Sequence, residues 1–64
     1  MDNGDDRLLR MADVVKITTL SRSTVKRKIQ AGDFPAPLVL GERSLRWPES
    51  AVRTWLLDRV NQQA

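Results

Sequence analysis

The chain has 64 residues, eleven Lys or Arg against eight Asp or Glu, a formal net charge of +3, and neither cysteine nor histidine. A chain this short is one small domain that buries only about 60% of its unfolded surface, so a deep enclosed active site is not expected. Without cysteine there is no disulfide framework or thiolate metal site, and without histidine the commonest metal ligand and general base is missing; the core must stand on apolar packing.

Met1 to Asp6 is acidic where a signal peptide would be basic, and residues 1–6 read as a disordered acidic tail. No apolar run approaches the roughly 18 residues of a membrane span, so a cytoplasmic protein with no membrane partner is expected. Beyond Asp2, Asp5 and Asp6 the chain carries eleven cations against five acids. This balance favours a polyanionic partner, although charge alone does not choose among DNA, RNA and an anionic membrane.

Leu8 and Leu9 read as a short extended entry tucked under the core. Met11, Val14 and Val15 lie at i, i+3, i+4 and predict an amphipathic helix from Met11 to about Thr18, too short to stand without packing. Thr18, Thr19 and Leu20 then connect to Ser21, and a link this short between two short helices is the spacing of a helix-turn-helix. Thr19 stands where this turn often has glycine. Because a β-branched residue resists positive φ, a turn of a different type is expected.

The stretch from Leu20 to Gly32 combines a helix start, an apolar stripe, a cationic face and a helix stop. Ser21 suits the N-cap and Gly32 the left-handed end. Val25 and Ile29 share one face, while Arg22, Ser23, Lys26 and Arg27 project elsewhere and Lys28 lies near the edge of the apolar stripe. Four cations in seven residues with no acid among them are unusual for a merely solvated helix.

Pro35 and Pro37 then force an extended path pinned by Phe34. Leu38 to Leu40, Gly41 to Ser44 and Leu45 to Trp47 read as strand, four-residue loop and strand, a small wing with Arg43 at its tip beside Glu42. Leu38 and Leu40 alternate onto one face, as do Leu45 and Trp47, so Arg46 is expected to point away from the core. Pro48 suits the first position of a third helix whose apolar set is Val52, Trp55, Leu56 and Val60. The ordered domain is thus expected over 7–60, with 61–64 frayed. Phe34, Trp47 and Trp55 are assigned to the core, and Arg53 and Arg59 to solvent.

With these pieces in order, the sequence is similar to the compact winged helix-turn-helix of the AlpA-type phage regulators and the related excisionases of the MerR-like superfamily. The matching residues are Leu8 to Met11, Leu20 to Val25, Ala31 to Pro35, the hairpin with Arg46 and Trp47, and Glu49 and Ser50 through Trp55 and Leu56. The chain departs from the family pattern at Lys26, where an aromatic is usual, at Lys28, usually apolar, and at Thr19, often glycine. The resemblance implies a mainly α fold of three helices and a β-hairpin wing. It also implies a DNA-binding protein of a phage or integrative mobile element, acting as an excisionase or recombination directionality factor, as a transcriptional regulator, or as both. Head-to-tail assembly on DNA is a further implication for the excisionase-like relatives.

In a helix-turn-helix the N-terminal residues of the second helix face base edges, and its unpaired amides after Ser21 meet a phosphate. Arg22 and Ser23 are then the candidate sequence readers, Lys26 a base or phosphate contact, and Arg27 and Lys28 backbone anchors. Arg43 and Arg46 would reach phosphates or an adjacent minor groove. Double-stranded DNA is the expected partner, an integrase is a second candidate, and the small size suggests a dimer or several copies on neighbouring sites. Ser21, Ser23 and Ser50 have no histidine to activate them, the acids show no metal spacing, and there is no glycine-rich phosphate loop. No enzyme activity, cofactor, metal or small-molecule substrate is expected. The rival reading is a protein-interaction module that binds an integrase or polymerase without reading DNA.

Overall fold

The computed structural model describes residues 6–63. They form β1 (Leu8–Leu9), α1 (Met11–Thr18), α2 (Arg22–Gln30), β2 (Leu38–Gly41), β3 (Ser44–Pro48) and α3 (Glu49–Gln63). This is the mainly α winged helix-turn-helix anticipated from the sequence. Residues 1–5 of the expected tail lie outside the described residues.

The strands make an antiparallel sheet in the order β1-β3-β2. The entry segment is its third strand, with Leu8 opposite Pro48 and Leu9 opposite Trp47. That register drives Leu9 into the core. Leu9, Val14, Val25, Phe34, Trp47 and Val52 are buried, so every element except β2 contributes a side chain, and Phe34 joins from the link before the wing. Met11, Ile17, Leu20, Ile29, Trp55 and Leu56 pack around them.

Both indoles do more than fill volume. Trp47 Nε1 donates to the Pro35 carbonyl at 2.8 Å and Trp55 Nε1 to the Asp33 carbonyl at 2.8 Å. Phe34 meets Trp55 edge to face, with ring centroids 4.8 Å apart. The proline-bound link, which cannot form a helix or donate at every residue, is therefore held by the tryptophans.

The turn between α1 and α2 differs from expectation. Thr19 adopts φ 62, ψ 13, the left-handed conformation that glycine usually supplies. Its amide donates to the Val15 carbonyl at 2.7 Å, closing α1. The neighbouring Thr18 is buried, its hydroxyl donating to the Val14 carbonyl at 2.8 Å and accepting from the Leu20 amide at 3.2 Å. Packing α1 on α2 at this corner overrides the local preference of a β-branched residue.

The wing also departs from the sequence reading. Gly41 pairs with Ser44, so the turn is the two residues Glu42 and Arg43 instead of a four-residue loop. Neither takes positive φ, which excludes the mirror-image turns favoured in tight hairpins. A register shift between Val39 and Gly41 accommodates the strand twist instead. All of β2 is exposed, including Leu38 and Leu40: α1 packs on β1 and β3 and α3 on β3, whereas no helix packs comparably on β2 at the far edge of the sheet.

At the other end, Pro48 is the last residue of β3 and not the first of α3. Val60, expected on the buried stripe, is 63% exposed, because the core ends at the turn carrying Trp55 and Leu56. The helix nonetheless runs on to Gln63, past the point where fraying was expected. Asp6, counted with the tail, is tied to α3: its carboxylate accepts from the Ser50 amide at 3.0 Å and the Ser50 hydroxyl at 2.7 Å. The Glu49 amide donates to the Arg7 carbonyl at 2.8 Å, so this segment satisfies donors that the start of α3 leaves free.

Candidate nucleic-acid interface

Helix α2 begins and ends on strong local signals. Ser21 has extended backbone angles and its Oγ accepts from the Thr24 amide at 3.1 Å, the geometry of an N-cap. At the other end Gly32 takes φ 75. The Gly32 amide donates to the Ile29 carbonyl at 3.0 Å and the Asp33 amide to the Lys28 carbonyl at 2.7 Å, the paired bonds of a Schellman ending.

An ion pair replaces the apolar contact that usually accompanies this ending. Lys28 Nζ lies 3.3 Å from Asp33 Oδ2. Arg59 also pairs with Asp33, and its guanidinium lies 5.0 Å from the Trp55 ring centroid. Arg59, assigned to solvent from the sequence, is instead a half-buried tie between α3 and the end of α2. Arg53 keeps to the surface with a partner on its own helix, Glu49, 2.6 Å away.

With Val25 buried and the ends fixed, Arg22, Ser23, Lys26 and Arg27 are left exposed. Arg27 Nη2 donates to the Thr24 hydroxyl at 3.1 Å, which lays its side chain back along the helix. On the wing, Arg43 is exposed at the turn and Arg46 Nη1 donates to the Leu45 carbonyl at 2.9 Å.

These two groups meet. A cleft of about 390 Å³ opens between the start of α1, the start of α2 and the wing, lined by Arg10, Arg22, Arg43 and Arg46 together with Met11, Ala12 and Leu45. No carboxylate among the described residues lines it. Three of the eight candidate site residues, Arg22, Arg43 and Arg46, are therefore brought together, while Ser23, Lys26 and Arg27 continue the cationic surface along α2. The hydroxyl of Ser21 and the ammonium of Lys28 already have protein partners. Arg10 was not among the candidates. Its amide donates to Asp13 Oδ2 at 3.0 Å, so it starts α1, and nothing in its local sequence signals that it lines one cleft with the wing arginines.

Residues 7–60 match the family model described as prophage CP4-57 regulatory protein (AlpA). The chain belongs to the AlpA family. A relative from Enterobacteria phage P4, named as uncharacterized protein ORF88, is 36% identical over 59 residues, covering 92% of this chain and 67% of the relative. No solved structure matches the chain. The AlpA match extends from β1 into α3 and so includes the helix-turn-helix, the wing and the cleft between them. Two departures from the AlpA pattern now have a local account: Thr19 takes the conformation of the glycine it replaces, and Lys28 exchanges apolar contact for Asp33. Among the described residues no three His, Cys, Asp or Glu side chains are grouped to hold a metal ion, and no helix is long and apolar enough to cross a membrane.

Proposed function

We propose that this AlpA-family chain is a sequence-specific double-stranded DNA-binding regulator of a prophage or integrative element. Helix α2 enters the major groove and the β2–β3 wing lies on the adjacent backbone or minor groove. Arg22 and Ser23 read base edges, Lys26 reads a base or a phosphate, and Arg27 anchors the backbone. Lys28 is a weaker anchor because it is shared with Asp33, and the capped turn after Ser21 presents its amides to a phosphate. The observation that carries the reading is the convergence of Arg22 from α2 with Arg43 and Arg46 from the wing on one cleft free of described carboxylates. The output is excision, with an integrase as protein partner, transcriptional control, or both, in the cytoplasm and on the nucleoid.

A single module of this kind buries only about 600–1,000 Å² on DNA, which favours a dimer or several adjacent copies. The exposed apolar row Leu38, Val39 and Leu40 on β2 supports contact between neighbours.

The test is a binding titration with the element's own attachment and promoter DNA. Arg22→Ala should weaken the cognate complex by about 1–3 kcal/mol and relax specificity at one base pair. Wild-type binding by both Arg22→Ala and Lys26→Ala would instead favour a module that contacts an integrase or polymerase through the same cationic face. A footprint then separates the outputs, since attachment-site protection indicates excision and promoter protection indicates transcription.

A further inference from the structure

We infer that the cleft between α1, α2 and the wing seats a DNA backbone phosphate, and that Arg10 is a DNA-contacting residue of this seat. The inference rests on the DNA-binding reading above and extends it to a residue on a third element.

The contrast with the rest of the molecule singles the cleft out. Lys28 and Arg59 share Asp33, and Arg53 has Glu49. Arg10, Arg22, Arg43 and Arg46 line one cleft with no described carboxylate among them. Like charges gathered in this way repel, and the arrangement becomes favourable when an anion enters. Guanidinium groups suit a phosphate because their planar forks donate two parallel hydrogen bonds to adjacent oxygens. The space, about 390 Å³, accommodates a phosphodiester group.

The position of the cleft defines the role. It lies where the base-reading end of α2 meets the wing, so a phosphate held there fixes how far α2 enters the groove and where the wing lands. Arg10 stands at the N-cap of α1, on a different element from the base-reading helix α2. It therefore positions the complex and carries no sequence information.

The experiment measures full-chain binding to a cognate duplex and a scrambled duplex over a salt series, for wild type, Arg10→Ala, Arg10→Lys and Arg22→Ala, with circular dichroism to verify folding. Arg10→Ala should lose affinity about tenfold on both duplexes and reduce the log-log salt slope by about 0.9. Arg10→Lys, which keeps the charge but not the fork, should retain the slope and lose less affinity. Arg22→Ala, which removes a base contact as well as one wall of the seat, should lose affinity on both duplexes and more on the cognate one. Wild-type affinity and slope in Arg10→Ala, alongside a weakened Arg22→Ala, would overturn the phosphate seat and leave the DNA reading standing. Loss by Arg10→Ala on the cognate duplex alone would also overturn it, by making Arg10 a base reader. Failure of the wild type to bind either duplex would remove both.

Discussion

Replacing Thr19 by glycine should stabilise the protein, although it deletes a side chain. Thr19 is the one non-glycine residue with positive φ among the described residues. For a residue with a Cβ the left-handed conformation costs about 1–2 kcal/mol, and a β-branch places threonine toward the upper end. Glycine relieves that strain but loses about 0.4–1 kcal/mol more to unfolded-state entropy. It also removes the bond from the Thr19 hydroxyl to the Thr18 carbonyl, 2.5 Å long, which contributes about 0.5 kcal/mol at this turn. The balance is a gain of about 0.5 kcal/mol, or roughly 2–4 °C in Tm for a domain of this size. Thr19→Ala keeps the strained backbone and loses the same hydrogen bond, so the glycine variant should exceed the alanine variant by about 0.5 kcal/mol. Urea unfolding followed by far-ultraviolet circular dichroism measures both differences. An alanine variant as stable as the glycine variant would refute the claim that tertiary packing holds Thr19 against its own preference.

Two further substitutions probe the supports of the interface. Val25 is the fully buried residue of α2, and Val25→Ala should cost about 2–3 kcal/mol from two lost methyl groups and the space they leave, read as a lower urea midpoint. A loss below about 0.5 kcal/mol would mean that α2 is not held through this contact. Asp6 gives a pH dependence: the Ser50 amide, followed by the Ser50 hydroxyl, holds its carboxyl below its ordinary value. Because the folded value lies below the unfolded one, its contribution is present above the ordinary carboxylate range and is lost as pH falls through the lowered folded value. Asp6→Asn should therefore flatten part of the decline in urea stability as pH falls below the ordinary carboxylate range. An acid limb identical to wild type would show that the bond to Ser50 does not couple to folding.

Much of the scaffold was legible because it follows from neighbours within one or two turns. The span of α1, the Ser21 cap, the Gly32 ending and the burial of Val25 all depend on side chains no more than four or five positions apart. Trp47 and Phe34 could be assigned to the core because a chain this small has few other groups large enough to fill one. The strands were harder to read. Leu38 and Leu40 alternate as buried residues do, yet alternation does not reveal that β2 is the uncovered edge. The α3 stripe likewise continues to Val60 in the sequence, while the core it faces stops a turn earlier.

The candidate site divides along the same line. Sequence alone determined the cationic face of α2 and the presence of a basic hairpin, since helical spacing and a turn are local properties. Only the tertiary structure decided that Arg22 shares a cleft with the wing arginines and with Arg10. It also decided that Asp33 engages Arg59, 26 positions away, and that Asp6 engages Ser50, 44 positions away. Periodicity specifies which way a side chain leaves its own element. What it meets there depends on how the elements close on one another, and that closure is set by the shared burial of Leu9, Val14, Val25, Phe34, Trp47 and Val52.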